Sequence, residues 1–112
     1  MSEYSFSGKH VLVTGASGGL GSALVKDLAD MGAQLAVSSR SIKPLEDLIS
    51  SLPDRTRVVP ITADLSRPGD AKTLGEKAIE ALGYVDVLFN NAGIGYFALM
   101  EEATEEKTLT GR

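Results

Sequence analysis

The chain has 112 residues, of which 43% are hydrophobic and 23% charged, and its formal net charge is −4 at pH 7. This length and composition suit one globular domain with a buried core, here 1–112. The acidic balance argues against a nucleic-acid partner, because phosphate contacts need a basic face. Cysteine is absent and His10 is the only histidine, so we expect neither disulfides nor a metal site.

The sequence has no feature of a membrane protein or a secreted protein. No apolar run approaches the ~20 residues of a membrane span. The first six residues, Met1-Ser2-Glu3-Tyr4-Ser5-Phe6, have neither the basic start nor the apolar core of a signal peptide. We therefore expect a soluble, cytoplasmic protein with no membrane partner.

The first predicted unit follows a polar lead-in over residues 1–8. An apolar, β-branched run predicts a strand over about His10–Thr14, and a helix follows from about Gly19 to Met31. Spacings of four, four and three residues predict the buried stripe of this helix: Leu20, Leu24, Leu28 and Met31. Gly32 is placed to end the helix.

The second unit is a strand over Gln34–Ser39 and a helix that opens at Ser41 as N-cap. Its apolar stripe is Leu45, Leu48, Ile49 and Leu52. The strand that follows, about Arg57–Ala63, contains Pro60. Because proline cannot donate to the hydrogen-bond ladder, we expect this strand at an edge of the sheet.

The third unit opens at Ser66 as the predicted helix cap and ends at Gly83, and its buried positions are Leu74, Ala78 and Leu82. A fourth strand over Val85–Phe89 and a tail over 94–112 complete the chain. Alternating strands and helices predict an α/β fold with a doubly wound parallel sheet. The edge position of the third strand agrees with the strand order 3-2-1-4 of that sheet.

Four glycines follow the first strand and lead into the first helix: Gly15, Gly18, Gly19 and Gly21. A strand, a glycine-rich turn and a helix can bind a pyrophosphate, because backbone N–H groups and the positive end of the helix dipole face the ligand. The spacing differs from the common G-x-G-x-x-G, and no Gly-Lys-Ser/Thr follows, which disfavours a nucleoside-triphosphatase loop. The alternative is a flexible turn without a ligand.

The pattern Thr-Gly-x-x-x-Gly-x-Gly after the first strand resembles the cofactor signature of the short-chain dehydrogenases/reductases. Asp64-Leu65 resembles the Asp-Leu/Val pair that follows strand three in this family, and Asn90-Asn91-Ala92-Gly93 resembles its Asn-Asn-Ala-Gly motif. The resemblance extends from Gly8 to about Gly95. It implies a Rossmann-type fold and hydride transfer between a nicotinamide dinucleotide and a small-molecule carbonyl or alcohol.

The resemblance also implies roles for individual residues. The glycine loop would hold the pyrophosphate, Asp64 and the N–H of Leu65 would face the adenine, and the later motif would line the cofactor crevice. The implied cofactor-binding residues are Gly15, Ser17, Gly18, Gly19, Leu20, Gly21, Asp64, Leu65, Asn91, Ala92 and Gly93. Ordinary turns rich in Asp, Asn and Gly are the alternative for the two later motifs.

Arg40 follows the second strand directly, where the choice between NAD and NADP is made. A carboxylate at this point binds the ribose 2′-OH of NAD, whereas an arginine suits the 2′-phosphate of NADP. Arg40, with the hydroxyl of Ser39, therefore predicts NADP rather than NAD. The alternative is a solvated surface arginine. Gly18 departs from the pattern, because NADP-preferring relatives often carry a second basic residue in the glycine loop.

The proton chemistry of the family belongs to a Tyr-x-x-x-Lys pair and an upstream serine. None of Tyr4, Tyr84 and Tyr96 has a lysine four residues later. We therefore expect this chain to be a truncated, cofactor-binding N-terminal half that ends after the fourth strand and has no catalytic residues. The alternatives are a dinucleotide-binding module without turnover and an inactive fragment. An unpaired edge on the fourth strand would favour a homo-oligomer, and the alternative is that the tail over 94–112 folds back and covers this edge.

Overall fold

The computed structural model describes residues 6–91, which form a four-stranded sheet and three helices. In chain order the elements are β1 (His10–Thr14), α1 (Gly19–Asp30), β2 (Gln34–Ser39), α2 (Ile42–Ser50), β3 (Val58–Thr62), α3 (Asp70–Leu82) and β4 (Val87–Asn90). None of these helices is long and apolar enough to cross a bilayer. The predicted site residues Ala92 and Gly93 and the tail over 94–112 lie outside the described residues.

The sheet is parallel throughout and has the order β3-β2-β1-β4. This confirms the predicted doubly wound order. β3 lies at an edge of the described sheet, and its Pro60 stands opposite Val37 of β2. No described strand lies on the other side of β3, so none requires the hydrogen-bond donor that proline lacks. β1 lies between two neighbours and is buried at every position.

Two apolar cores cover the two faces of the sheet. The first lies against α1 and α2 and the second against α3. Because successive strand residues point to opposite faces, β1 sends Val11 and Val13 into the first core and Leu12 into the second. The sheet is thus covered by helices on both sides, as a parallel sheet requires.

The predicted stripe of α1 is wrong at its two ends. Leu20 is 76% exposed and Met31 is 50% exposed, whereas the buried residues of this helix are Gly21, Val25, Leu28 and Ala29. The contact face is offset because the first turn of α1 packs through the bare backbone of Gly21, against the loop that follows β1. Leu20, the preceding residue, consequently points into solvent.

The predicted cap of α3 is also wrong. The helix begins at Asp70, after Gly69 in a left-handed conformation with φ of 88°. The hydroxyl of Ser66 instead donates to Oδ1 of Asp64 at 2.6 Å. Because Asp64 binds Ser66 in this local turn, the chain makes a further turn before the helix starts.

Candidate functional site

A cleft of about 350 Å³ opens at the carboxyl ends of the strands. It lies beside the glycine loop and extends past the ends of β2 and β3. In open α/β sheets, ligands bind at this edge where the strand order reverses, which here is between β1 and β4. The cleft lies on the β1-β2-β3 side of that point. Seven of the predicted site residues line the cleft: Gly15, Ser17, Gly18, Ser39, Arg40, Asp64 and Leu65.

The glycines of the loop have different structural roles. Gly15 has φ of 64°, which favours glycine. A Cβ on Gly21 would overlap the carbonyl oxygen of Gly15 and lie 2.8 Å from Nδ2 of Asn91. A Cβ on Gly19 would meet nothing within 4 Å. The packing of the protein therefore requires Gly21 to lack a side chain, whereas Gly19 borders open space that a ligand can enter.

The amino end of α1 lacks the groups that usually neutralise a helix start. Its N-cap, Gly18, provides no side-chain hydrogen bond, and the first turn has no acidic residue. The backbone N–H of Ser22 donates to the Gly18 carbonyl at 2.8 Å. The N–H groups of Gly19, Leu20 and Gly21 have no acceptor within residues 6–91. These N–H groups and the helix dipole favour an anion at this end of α1.

Hydrogen bonds join the ends of β1 and β4 beside this loop. The hydroxyl of Thr14 donates to Oδ1 of Asn90 at 2.7 Å and accepts the N–H of Asn91 at 3.1 Å. This places Asn91 against Gly21, so the turn after β1 contacts both the start of α1 and the end of β4. The Ala16 N–H also donates to the Ser38 carbonyl at 2.9 Å, which attaches the loop to β2.

Arg40 stands at the far side of the cleft, without a hydrogen bond or a close ion pair to the described residues. Its side chain is exposed and makes no hydrogen bond or ion pair with residues 6–91. Ser39 differs from Arg40 in this respect. Its hydroxyl donates to the Ser41 carbonyl at 2.8 Å and accepts the Ser41 N–H at 3.4 Å. Ser39 therefore fixes the backbone on both sides of Arg40, and its hydroxyl is already hydrogen-bonded.

The carboxylate of Asp64 is bonded to Ser66 through one oxygen, and its other oxygen has no hydrogen bond within residues 6–91. Its Oδ1 accepts the hydroxyl of Ser66 at 2.6 Å and the N–H of Ser66 at 3.0 Å. The hydroxyl and the N–H of Ser66 lower the pKa of Asp64, and the charges of Arg40 and Arg67 lower this pKa further. Oδ2 of Asp64 and the N–H of Leu65 have no hydrogen-bond partner in the described part of the chain. An ionised acceptor and a donor thus stand side by side at the cleft.

Sequence reasoning missed four residues that line the cleft: Thr14, Ser38, Ala63 and Ser66. Ser66 is detectable in principle, because a Ser two residues after an Asp is typical of a turn closed by the Asp side chain. We interpreted it as a helix cap instead. Thr14 and Ser38 are buried at strand ends, and their roles depend on which strands lie beside them.

Comparison with known proteins gives consistent matches. The sequence model of the family described as short chain dehydrogenase matches residues 9–110. Nodulation protein G of Rhizobium sp. (strain N33) is 39% identical over 109 residues, which cover 95% of this chain and 44% of that protein. The hydroxynaphthalene reductase-like protein Arp2 of Metarhizium anisopliae (strain ARSEF 549) is 34% identical over 104 residues, with coverages of 91% and 39%.

Solved structures agree with these sequence matches. A short chain dehydrogenase/reductase from Burkholderia phymatum, crystallised in complex with NAD, has a TM-score of 0.74 and 32% identity, covering 82% of this chain and 33% of that chain. Levodione reductase has a TM-score of 0.75 and 33% identity, with coverages of 80% and 36%. The chain spans less than half the length of each of these four proteins.

Proposed function

Because the chain belongs to the short chain dehydrogenase family, we propose that it forms the cofactor-binding part of an NADP(H)-dependent oxidoreductase. The whole protein would transfer a hydride between the dinucleotide and a carbonyl or alcohol. One observation carries this proposal. The cleft has the uncapped amino end of α1 on one side and the unpaired Arg40 on the other.

The residues present fit a dinucleotide. The open space at Gly19 admits a phosphate group, and the free N–H groups of Gly19 and Leu20 can donate to it. Ser17 and Gly18 would complete the loop around the pyrophosphate. When bound, the nicotinamide ring of the cofactor supplies or accepts the hydride. The chain's own contribution in this region is to bind the phosphates and orient the cofactor.

The other end of the cleft suits an adenosine 2′-phosphate. Arg40 presents a guanidinium that can donate two hydrogen bonds to a phosphate. The free oxygen of Asp64 and the N–H of Leu65 complement the adenine edge, which offers an amino donor beside a ring-nitrogen acceptor. Asn91, with Ala92 and Gly93, would line the remaining wall of the crevice.

We predict that the 112-residue chain binds NADPH more tightly than NADH and has no measurable turnover. No tyrosine of the chain has a lysine four residues later, and general acid–base groups typically contribute about 10²–10⁴-fold to such reactions. Calorimetric titration and an NADPH-oxidation assay with a panel of ketones would test both parts. Equal affinity for both cofactors would contradict the NADP preference, and binding of neither would contradict cofactor binding. Robust ketone reduction by the 112-residue chain would contradict the prediction that the chain lacks the residues that catalyse the reaction.

We also propose that the chain self-associates through β4. One edge of β4 pairs with β1, and the other edge has no partner among residues 6–91. Unpaired strand edges readily pair with another chain. Val87 is half-buried against the first core, and Val87→Lys would place a charge on β4 beside its free edge. Provided that it remains folded, we expect this variant to sediment as a monomer at concentrations where the unchanged chain associates.

The matched control for the association is Ile42→Lys on α2, where the side chain is 43% exposed. This control should associate like the unchanged chain, and thermal unfolding would verify that both variants remain folded. A single monomeric species of the unchanged chain over a tenfold concentration range would contradict pairing through β4.

A further inference from the structure

The segment between β3 and α3 is closed by its own hydrogen bonds. Ser66 binds Oδ1 of Asp64, as described above. The carbonyl of Asp64 accepts the N–H of Arg67 at 2.9 Å, and the carbonyl of Arg67 accepts the N–H of Asp70 at 3.2 Å. These bonds use one carboxylate oxygen and the carbonyl of Asp64, and they leave its Oδ2 and the Leu65 N–H for a ligand.

Asp70 closes this segment from its other end. Its Oδ2 accepts the backbone N–H of Asp64 at 2.9 Å, in a partly buried hydrogen bond. No other described group accepts that N–H. Asp70 is the first residue of α3, and the positive end of the helix dipole favours its carboxylate there. Asp70 does not line the cleft itself.

We propose that Asp70 is a positioning residue that holds Asp64 and Leu65 in the orientation in which they meet the adenine ring. This inference rests on the proposed function. Without an acceptor, the Asp64 N–H loses its partner and the peptide between Ala63 and Asp64 is released to rotate. That rotation moves both the free carboxylate oxygen of Asp64 and the Leu65 N–H. Asp70 therefore acts on cofactor binding through Asp64 and Leu65, without contacting the ligand itself.

The test compares Asp70→Ala with Asp70→Asn and with Glu76→Ala. Asparagine retains an oxygen that can accept the Asp64 N–H, and Glu76 is an exposed carboxylate on the same helix. We expect Asp70→Ala to weaken NADPH binding about tenfold, because a hydrogen bond to a charged acceptor is lost. Asp70→Asn and Glu76→Ala should bind nearly as the unchanged chain does. Asp70→Ser is a second variant that should lose the hydrogen bond to the Asp64 N–H, because the serine side chain is too short to reach it. Serine is tolerated at helix starts, so α3 should still form.

A second probe separates positioning from general damage. In the hypoxanthine analogue of NADPH an oxygen replaces the adenine amino group and the neighbouring ring nitrogen carries a proton. The donor and the acceptor of the ring edge are therefore exchanged and no longer match the Asp64 oxygen and the Leu65 N–H. We expect Asp70→Ala to reduce the affinity for this analogue by much less than tenfold. In the ligand-free chain, the amide hydrogen of Asp64 should exchange faster in Asp70→Ala than in Asp70→Asn.

The outcomes distinguish this inference from the proposed function. Equal NADPH affinity of Asp70→Ala and the unchanged chain would overturn the inference and leave the proposed function intact. An equal loss of affinity for NADPH and for its hypoxanthine analogue would also overturn it, because general damage affects both. If the unchanged chain bound neither dinucleotide, the proposed function would fail, and this inference with it.

Discussion

Arg40→Ala should weaken NADPH binding by about ten- to a hundred-fold and leave NADH binding almost unchanged. A hydrogen bond to a charged group contributes about 1.5–3 kcal/mol, and each 1.4 kcal/mol is about tenfold in affinity. The arginine has no partner among residues 6–91, so its removal breaks no described contact within the protein. Calorimetric titration with both cofactors measures the difference directly.

Arg55→Ala is the matched control for Arg40→Ala, because it removes the same charge from an exposed residue away from the cleft. It should leave the affinity for both cofactors within about twofold, since exposed charges at a distance are screened by salt. An equal loss of NADPH and NADH affinity in Arg40→Ala would mean that Arg40 does not read the 2′-phosphate.

Gly19→Val should abolish dinucleotide binding while the protein remains folded. A Cβ at Gly19 meets nothing within 4 Å, and the backbone there does not have a positive φ, so the folded chain accepts a side chain. The branched side chain would occupy the space in front of the free N–H groups of α1. The phosphates are then held away from the donors that bind them. Titration gives the affinity, and circular dichroism verifies the helical content.

Gly21→Ala is the contrasting variant, because the two glycines lie in the same turn of α1. Its Cβ would overlap the Gly15 carbonyl oxygen, so either the helix or the loop must move. Overpacking of this kind costs about 1–3 kcal/mol of folding free energy, and sometimes more. We therefore expect a lower unfolding temperature for Gly21→Ala than for Gly19→Val. Unchanged affinity in Gly19→Val would place the ligand elsewhere.

Features that depend on local chemistry were predictable from the sequence. Pro60 identified the edge strand because proline lacks the donor that an inner strand needs. The stripe of α2 and the buried positions of α3 followed from helical periodicity, and Leu45, Leu48, Leu74, Ala78 and Leu82 are all buried. Gly15, Gly18 and Arg40 line one cleft, and their roles in binding a cofactor stay predictions.

Features that depend on the approach of one backbone to another were not predictable. Periodicity favours large apolar residues, so it placed Leu20 and Met31 inside the protein and overlooked the buried Gly21. The roles of Ser39, Ser66 and Asp70 follow from hydrogen bonds in turns whose geometry the sequence does not specify. The cofactor-binding roles of all the predicted site residues stay predictions, and Ala92 and Gly93 also lie outside the described residues.

The hydrogen bonds between Thr14 and the end of β4 join residues 76 and 77 positions apart. Closing so long a loop has a large entropic cost, and folding slows as contacts become more distant along the chain. β1 can pair with β2 once residue 39 has been made, but its second neighbour, β4, can form only after residue 90 has been made. Until then the innermost strand has an open side. The contacts of Asn90 and Asn91 beside the glycine loop are therefore among the last to form in residues 6–91, whereas every residue that lines the cleft lies between positions 14 and 66 and is made earlier.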